Sequence, residues 1–532
     1  MGRYVNPGNR NFASVAHSGI YVDKTGMLEH LNQMMDTEMR WVCVSRPRRF
    51  GKTLAADMAA AYYSRGCSSD ELFRGRKIAS ASSYRQFLNQ CNVIQWDMAA
   101  AIQNYGGAMD ALDGLKRDTV RELNREFPGT LPSILAEEPN RSLPLLIGDL
   151  NLEQGPEFIF IIDEWDAIYR EGDDAAQEAY TRLLRGMFKA AESKRFIRLA
   201  YLTGILPIKR YNSESALNNF REYTMTDPRA LAEYVGFTDE EVRALCGKRD
   251  MDYDRMRRMY DGYSFSDAGH VYCPNSVINA VIDRKYRCYW TQTSSYEIVR
   301  TYISMDYQGL KGDIVALLAG GRCKVRIYRF ENDMKNVRSR DDVLTVLIHL
   351  GYLAYDEDNE EVRVPNEEVR SALEDVVSDV SWEPVIQAIT ASDQLLKALL
   401  REDADAVAAG VEEAHQNHAS LWKYNDENTL ACVIRLAFYN AINEYEIFSE
   451  MPTGVGRADL IFLPIKTSDK PALVVELKCD KSAESAIDQI KSRRYPASIE
   501  RYAGRILIAG ISYDRNDPEK KHSCVIEEWE KE

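Results

Sequence analysis

A Gly-Lys-Thr turn at residues 51–53 constrains the fold of this chain more than any other sequence feature. An apolar, strand-like segment (41–44) precedes the turn, and an Ala-rich, helix-like segment (54–63) follows it. A strand, a basic glycine turn and a helix in this order are the layout of a P-loop, in which backbone N–H groups surround a phosphate. The sequence therefore predicts a nucleotide site in which Lys52 reaches the outer phosphates and the Thr53 hydroxyl holds Mg²⁺.

The residues before Gly51 depart from the usual pattern, because Arg46 stands where an opening glycine is expected. The alternative is a basic surface turn between a strand and a helix. In the P-loop interpretation, the residues predicted to bind the nucleotide in this loop are Arg46, Arg48, Arg49, Phe50, Gly51, Lys52 and Thr53.

A second apolar segment, 158–162, runs directly into Asp163 and Glu164. An unbroken apolar run is typical of a strand that is buried on both faces of a parallel sheet. At its carboxyl end we predict that Asp163 holds the Mg²⁺ of a bound nucleotide and that Glu164 polarises the attacking water. The alternative is a helix N-terminus that carries acids.

Two further segments complete the predicted sheet. Residues 196–202 form an apolar strand that ends at Thr203, which either contacts the γ-phosphate or only marks the exit of a strand. Residues 93–97 add another core strand. Strands that alternate with helices predict a doubly wound α/β domain with its ligand at the carboxyl ends of the strands.

Several short strings in the first part of the chain resemble one family. These strings are Tyr21-Val22-Asp23-Lys24-Thr25, the Arg-rich loop 45–53 and segments 203–208, 216–220, 236–238, 260–265 and 271–276. They are similar to the AAA-ATPase-like family common in bacterial genomes, which carries this Arg-rich loop in place of the leading glycine. The resemblance spans residues 4–300 and implies binding and hydrolysis of ATP, with a nuclease-like domain at the C-terminal end.

The C-terminal quarter supports that expectation with other residues. A segment with Asp459 (454–462) and a segment with Glu476 and Lys478 (472–478) resemble the PD-(D/E)xK nuclease arrangement. Glu476 and Lys478 are two positions apart, so in a strand they share one face. The resemblance implies that Asp459 and Glu476 bind Mg²⁺ and that Lys478 positions or deprotonates the nucleophile. The alternative is a solvated cross-strand Glu–Lys pair.

The nuclease resemblance implies further residues outside these two strands. An acid on the preceding helix often completes such a site, and we favour Glu427 as this metal ligand, with Glu450 as the alternative. Gln489 and Tyr495 resemble the Gln-x(5)-Tyr element of the superfamily.

The middle of the chain is predicted to be largely helical. Residues 344–368 predict a helix, a hairpin with an acidic turn and a second helix that Asn366 caps, which resembles a winged-helix lid. Residues 392–418 predict paired amphipathic helices. The predicted fold class is α/β, with a P-loop NTPase core around a parallel sheet (1–300), a helical or winged-helix-like middle region (301–420) and a C-terminal α/β PD-(D/E)xK nuclease-like domain (421–532).

Composition limits the partners of the chain. Its 532 residues carry a net charge of −15, which argues against avid nucleic-acid binding because duplex binders usually present a basic face. Basic clusters such as Lys491, Arg493 and Arg494 leave a basic groove on an acidic body open, with an ordinary solvated helix face as the alternative. No segment approaches the ~20 apolar residues of a membrane span. Ten cysteines without a Cys-x-x-Cys pair favour reduced thiols and a cytoplasmic location without a membrane partner.

Two functions remain open at this point. The leading hypothesis is an ATP-binding and ATP-hydrolysing protein whose nucleotide state controls a metal-dependent nuclease that acts on DNA or RNA. The alternative is an ATP-driven regulatory switch whose C-terminal domain binds nucleic acid or a protein without cleaving. The predicted cofactors are ATP and Mg²⁺, and the oligomeric state, including a homo-oligomer, stays open.

Overall fold

The computed structural model divides the chain into two compact units. The first unit is Met1–Ser295 with Lys324–Ala372, and the second is Tyr296–Cys323 with Leu373–Glu532. The structure describes residues 2–208, 217–290, 295–305, 307, 309–330, 337–379, 392, 394–419, 438, 441, 445–452, 457–464, 470–499, 504–514 and 521–529. The division into three domains stays a prediction.

A parallel five-stranded sheet forms the centre of the first unit. Its strands are β1 (Trp41–Ser45), β2 (Asn92–Asp97), β3 (Phe158–Asp163), β4 (Ile197–Gly204) and β5 (Arg221–Tyr223). Their order in the sheet is β2-β3-β4-β1-β5, and each neighbouring pair is parallel. The predicted parallel α/β core is therefore confirmed.

The apolar runs form this sheet because both of its faces are covered. Every residue of β1 and β3 is buried, as expected for strands with helices on both sides. The strand predicted to begin at Phe196 begins one residue later, because Ser193–Phe196 forms a helical turn. Since all strands run in one direction, the carboxyl ends of β1, β3 and β4 lie at one edge of the sheet.

Two small sheets accompany the core. The strands β6 (Phe237–Thr238), β7 (Tyr263–Phe265) and β8 (Gly269–Tyr272) form an antiparallel sheet in the order β6-β8-β7. The strands β9 (Cys323–Lys324), β10 (Ala354–Asp356) and β11 (Glu361–Arg363) form another, in the order β10-β11-β9.

The hairpin β10–β11 lies between two helices, as predicted. These helices are Arg340–His349 and Glu367–Asp379, and the Asn366 side chain accepts a hydrogen bond from the Val369 N–H at 2.9 Å. Gly351 ends the first helix with φ +83°, and a Cβ at this position would lie 2.8 Å from Pro47 of the P-loop. Glycine is therefore needed here for both its backbone conformation and its close approach.

The second unit contains a mixed five-stranded sheet. Its strands are β12 (Tyr445–Pro452), β13 (Arg457–Pro464), β14 (Ala472–Cys479), β15 (Ile506–Tyr513) and β16 (His522–Glu528), in sequence order. Only β14 and β15 are parallel among them, and the helix Ala483–Ser492 connects these two strands. The predicted C-terminal α/β arrangement is confirmed.

Helices surround the sheets of both units. The α-helices span Arg10–Ala16, Gly26–Met34, Lys52–Tyr63, Asp70–Phe73, Tyr84–Phe87, Met98–Tyr105, Ala108–Glu126, Thr130–Glu137, Leu143–Gln154, Ala167–Glu171, Asp174–Phe188, Ser193–Phe196, Asp239–Arg249, Tyr253–Tyr260, Pro274–Asp283, Ser295–Ser304, Leu310–Leu318, Arg340–His349, Glu367–Asp379, Ala404–Ala419 and Ala483–Ser492. Within the described part of the chain, none of the helices has the length and apolar character needed to cross a bilayer.

Candidate functional site

The predicted P-loop follows β1 and opens the helix Lys52–Tyr63. Gly51 precedes this helix with φ +92°, a conformation that glycine adopts without steric cost. Arg49 also has a positive φ of +68°, which is costly for a residue with a side chain. The loop is held in this shape by its surroundings, since Arg49 Nη1 donates to the Tyr289 carbonyl at 2.9 Å.

Lys52 is buried at the start of this helix. Its Nζ donates to the Pro47 carbonyl at 2.9 Å and lies 3.9 Å from Glu164 Oε1. Burial lowers the pKa of Lys52, while the nearby Glu164, Asp163 and Asp166 oppose that shift. A buried ammonium with acids on one side is suited to meet an anionic ligand.

Asp163 lies at the carboxyl end of β3, beside the tip of β4. The Thr203 hydroxyl donates to Asp163 Oδ1 at 2.5 Å, whereas among the described residues no group bonds to the buried Oδ2. Burial raises the pKa of Asp163, and the Thr203 and Thr53 hydroxyls favour its charged form. A buried carboxylate that interacts with the Thr53 hydroxyl, and whose Oδ2 has no hydrogen bond of good geometry, fits the oxygen ligands that Mg²⁺ prefers.

Glu164 lies between two cations. Its Oε1 is 3.9 Å from Lys52 Nζ, and its Oε2 accepts a hydrogen bond from Arg170 Nη2 at 2.5 Å. Its backbone has φ +48°, in the left-handed region that is unfavourable for glutamate. Strained backbone of this kind persists where the surrounding structure determines it, and it is common at functional sites.

The arginines of the loop have different surroundings. Arg46 is fully buried, and its Nη1 donates to the carbonyls of Ser45, Tyr223 and Thr224 at 2.9–3.0 Å. The structure therefore does not bring the Arg46 side chain to the cluster around Lys52, and burial lowers its pKa to about 10. In this structure Arg46 joins β1 to the end of β5.

Arg48 and Phe50 complete the loop. Arg48 is half-buried near the acidic cluster: burial and the nearby Arg170 lower its pKa, whereas Glu164 and Asp166 oppose this. Phe50 is fully buried and packs edge-on against Tyr263, with 5.3 Å between the ring centroids.

An apolar cavity of about 280 Å³ adjoins the loop in the first unit. Its wall includes Tyr21, Val22, Phe50, Leu54 and Tyr234. The buried Tyr21 hydroxyl has no hydrogen-bond partner within the described ranges. Ligand sites are mostly apolar, with a few polar groups that fix orientation, and this cavity has that character.

Acids that the sequence analysis did not assign lie close to the same edge. Asp97 ends β2 opposite Asp163, and Asp57 accepts a hydrogen bond from Gln95 at 3.0 Å. Asp166 and Arg170 were also missed as site residues, although their spacing of four is a signal for a pair on one helix face.

The second unit brings together three predicted nuclease residues. Asp459 is on β13, and its Oδ2 accepts the Leu477 N–H at 2.8 Å. Glu476 is buried on the adjacent β14, where Lys478 Nζ donates to its Oε1 at 2.9 Å. Burial raises the pKa of Glu476, Asp459 raises it further, and Lys478 opposes both.

The helix after β14 adds the predicted glutamine. Gln489 Nε2 donates to Glu476 Oε1 and lies 3.3 Å from the hydroxyl of the buried Tyr495. Glu476 Oε2 is buried without a partner in the part of the chain that the structure describes, so a cation could satisfy it. Glu427 lies outside the described residues, and so does the Glu450 side chain. No group of three or more His, Cys, Asp or Glu residues suited to a metal ion occurs within the described ranges.

Comparisons with known proteins identify both regions. Residues 7–212 match the family model described as a predicted AAA-ATPase, and residues 425–523 match the model of the PD-(D/E)XK nuclease superfamily. The chain therefore carries one region similar to the predicted AAA-ATPase family and a C-terminal region similar to the PD-(D/E)XK nuclease superfamily, as the sequence predicted.

Individual relatives are more distant. The chain is 26% identical over 294 residues to an uncharacterized protein in the vnfD 5′ region of Azotobacter chroococcum, a match that covers 52% of this chain and 51% of that protein. The chain thus spans about half the length of this curated relative.

Solved structures give looser matches. A Walker-type ATPase of Pyrococcus abyssi has a TM-score of 0.34 and 14% identity, with coverage of 66% of this chain and 94% of that chain. The Aeropyrum pernix ORC2 protein has a TM-score of 0.30 and 11% identity, with coverage of 68% and 97%. Structural similarity at these TM-scores is too low to assign a property of either protein to this chain.

Proposed function

We propose that this protein binds and hydrolyses ATP and that its nucleotide state controls a metal-dependent nuclease that acts on DNA or RNA. The observation that carries the proposal is the pair of buried carboxylates, Asp163 and Glu476, each in a matched family region and each with one unpartnered oxygen. Buried carboxylates without a full set of partners are costly, so they are retained where function needs them.

In the first unit, the side chains around the P-loop divide the work of hydrolysis. Lys52 binds the outer phosphates in this proposal, which its buried ammonium at the start of the helix after the loop supports. Thr53 and Asp163 would hold Mg²⁺, which supplies charge neutralisation on the phosphates when bound. Glu164 accepts a proton from the attacking water, and Thr203 fixes Asp163 by its hydrogen bond.

The apolar cavity would receive the nucleoside half of ATP. It adjoins Phe50 and Gly51, so a base bound there connects directly to phosphates held by the loop. The Tyr21 hydroxyl offers the base a polar contact in an otherwise apolar wall.

In the second unit, Asp459 and Glu476 would hold Mg²⁺, and the metal when bound supplies charge stabilisation on the scissile phosphate. Lys478 lies at Glu476 Oε1, where its ammonium orients the nucleophilic water or takes its proton. Gln489 bonds to the same oxygen and restricts the rotamer of Glu476. Two acids and one lysine in the region that matches the nuclease superfamily favour a phosphodiester of nucleic acid as the substrate. The test below determines whether the substrate is DNA or RNA.

The test measures both activities in the full-length wild type, Lys52→Ala and Glu476→Ala. ATP turnover and cleavage of labelled DNA and RNA are followed with Mg²⁺ and with Mn²⁺. Matched controls are Lys248→Ala and Glu484→Ala, since both side chains are exposed on helices. We expect Lys52→Ala to abolish ATP turnover and to change cleavage, and Glu476→Ala to abolish cleavage alone.

Cleavage that persists in Glu476→Ala would rule out the assigned nuclease centre. ATP turnover that persists in Lys52→Ala would rule out the assigned P-loop. Nucleotide binding that depends on Lys52, without cleavage under either metal ion, would replace the nuclease proposal with the regulatory switch.

A further inference from the structure

We propose that Arg170 is the positioning residue of Glu164 and fixes the carboxylate oxygen that does not face Lys52. This inference rests on the proposed ATP hydrolysis and adds a residue to it. Arg170 lies on the helix Ala167–Glu171 that follows β3, and its Nη2 donates to Glu164 Oε2 at 2.5 Å. Its side chain is only 8% exposed, so the contact lies away from solvent.

A second acid anchors the guanidinium. Arg170 Nε lies 3.2 Å from Oδ2 of the buried Asp166. Asp166 in turn accepts the Leu206 N–H at 3.1 Å and lies 3.3 Å from the Ile205 N–H, in the turn after β4. Arg170 is thereby tied both to the hydrolytic glutamate and to the strand that carries Thr203.

Gly204 allows this anchor to approach. A Cβ at Gly204 would lie 2.6 Å from Asp166 Oδ1 and 2.7 Å from the Trp165 ring. The turn after β4 can pack against Asp166 only because this position has no side chain.

The charges around Glu164 explain why such a residue is needed. Lys52 faces one carboxylate oxygen at 3.9 Å, Arg48 lies nearby, and the acids Asp97 and Asp163 face it from β2 and β3. Without Arg170 the cations near Glu164 would be Lys52 and Arg48, and Lys52 must remain available to phosphate. A bond to Arg170 instead keeps one glutamate oxygen fixed and leaves the lysine for the nucleotide.

The alternative is an ion pair that serves stability alone, between Arg170 and Asp166 four residues earlier. The two roles differ in kinetics. A residue that acts through Glu164 lowers kcat and leaves nucleotide affinity unchanged, and its effect disappears when Glu164 is already removed. A residue that serves only the fold has the same effect in either background.

The experiment is a double-mutant cycle on the full-length chain. ATP turnover and equilibrium binding of a fluorescent ATP analogue are measured for wild type, Arg170→Gln, Glu164→Gln and the double variant. We expect Arg170→Gln to lower kcat by up to about 100-fold with unchanged Kd, as for misplacement of a catalytic group. In the Glu164→Gln background it should cause no further loss.

The conservative variant Arg170→Lys keeps a charge for Asp166 and should retain more activity than Arg170→Gln. If Arg170→Gln does not fold, Arg170→Lys replaces it in the same cycle. An unchanged kcat, or equal losses in both backgrounds, would overturn the role of Arg170 while the ATPase proposal stands. A wild-type protein that turns over no ATP would overturn both.

Discussion

Each of the two candidate sites contains a buried carboxylate with one oxygen that lacks a described hydrogen-bond partner, but the neighbours of the two carboxylates differ. Asp163 in the first unit and Glu476 in the second are both buried, both have a raised pKa, and both have one oxygen without a described partner. The bonded oxygen of Asp163 accepts hydrogen bonds from two neutral groups, the Thr203 hydroxyl and the Glu164 N–H. The bonded oxygen of Glu476 receives the ammonium of Lys478 and the amide of Gln489.

The difference shows where each site keeps its positive charge. In the first unit, the cations Lys52 and Arg170 flank a separate acid, Glu164. In the second unit, Lys478 bonds directly to the buried acid. One arrangement is built from the ends of parallel strands and the other from adjacent antiparallel strands, β13 and β14. Two different topologies thus leave a buried carboxylate oxygen without a described partner, as expected if each site holds a metal ion.

The strongest test of this comparison replaces each carboxylate by its amide. We expect Asp163→Asn to lower ATP turnover and Glu476→Gln to lower nucleic-acid cleavage, each by about 100-fold or more. In the absence of divalent metal at pH 8, both variants should have a higher Tm than wild type, since a raised pKa means that the buried charge destabilises the fold. Enzyme assays and thermal unfolding in EDTA measure the two effects.

Glu484→Gln is the matched control, because Glu484 is exposed on the helix after β14. Loss of activity together with a lower Tm would indicate that the carboxylate stabilises the fold, and would contradict the role proposed for it in the site.

Glu368 is a third buried acid with a raised pKa, and it has no proposed role in either site. Burial raises its pKa to about 7, although the Tyr289 N–H donates to Oε1 at 2.7 Å. A raised pKa means that its contribution to stability is present below about pH 4.5 and is lost as the pH rises to about 7. Glu368→Gln should therefore gain about 3 kcal/mol in unfolding free energy at pH 8 relative to pH 4.5, compared with wild type.

Urea unfolding at the two pH values measures this gain, with Glu367→Gln on the same helix turn as the control. Equal behaviour of the two variants would show that Glu368 ionises in the folded state as freely as a surface acid.

Substitution of Gly510 or Gly204, where a helix or a turn packs close to a site, should have a smaller effect than replacement of the buried acids. A Cβ at Gly510 would overlap the Ala483 carbonyl oxygen and lie 2.9 Å from the Ala486 Cβ, on the helix that carries Gln489. Gly510→Ala should cost about 1–3 kcal/mol and lower cleavage, and Gly204→Ala should have the corresponding effect on stability and ATP turnover. Denaturant unfolding and the two assays measure them.

Gly247→Ala should cause the smallest change in stability, and it serves as the control for Gly510→Ala and Gly204→Ala. Gly247 lies inside the helix Asp239–Arg249, and a Cβ there would meet nothing within 4 Å. Gly247→Ala should stabilise the fold by up to about 1 kcal/mol through helix propensity, with both activities unchanged. If Gly247→Ala destabilises the fold, the losses of stability in Gly510→Ala and Gly204→Ala could not be assigned to steric overlap of the added methyl group alone.

Apolar patterns predicted much of the fold. Unbroken runs such as 158–162 became buried strands because burial on both faces leaves no room for polar residues, and the acids after them were found at the strand ends. The orientation of Arg46 was not predictable, since a loop arginine is normally exposed and this one donates to the carbonyls of Tyr223 and Thr224, which are distant in the sequence. Arg170 was missed because its role depends on Glu164 and on the turn after β4, which only the tertiary structure brings together.

Contacts of the P-loop with later parts of the chain bear on how the nucleotide site forms during synthesis. Pro47 packs beside Gly351, and Arg49 bonds to Tyr289, so the loop meets residues made some 240 to 300 positions later. The Tyr263 hydroxyl also donates to the Gly351 carbonyl at 2.5 Å. A nascent chain that has passed Thr53 therefore still lacks the neighbours that hold its phosphate loop. We therefore expect the chain to become able to bind nucleotide only after the segment around Gly351 has left the ribosome.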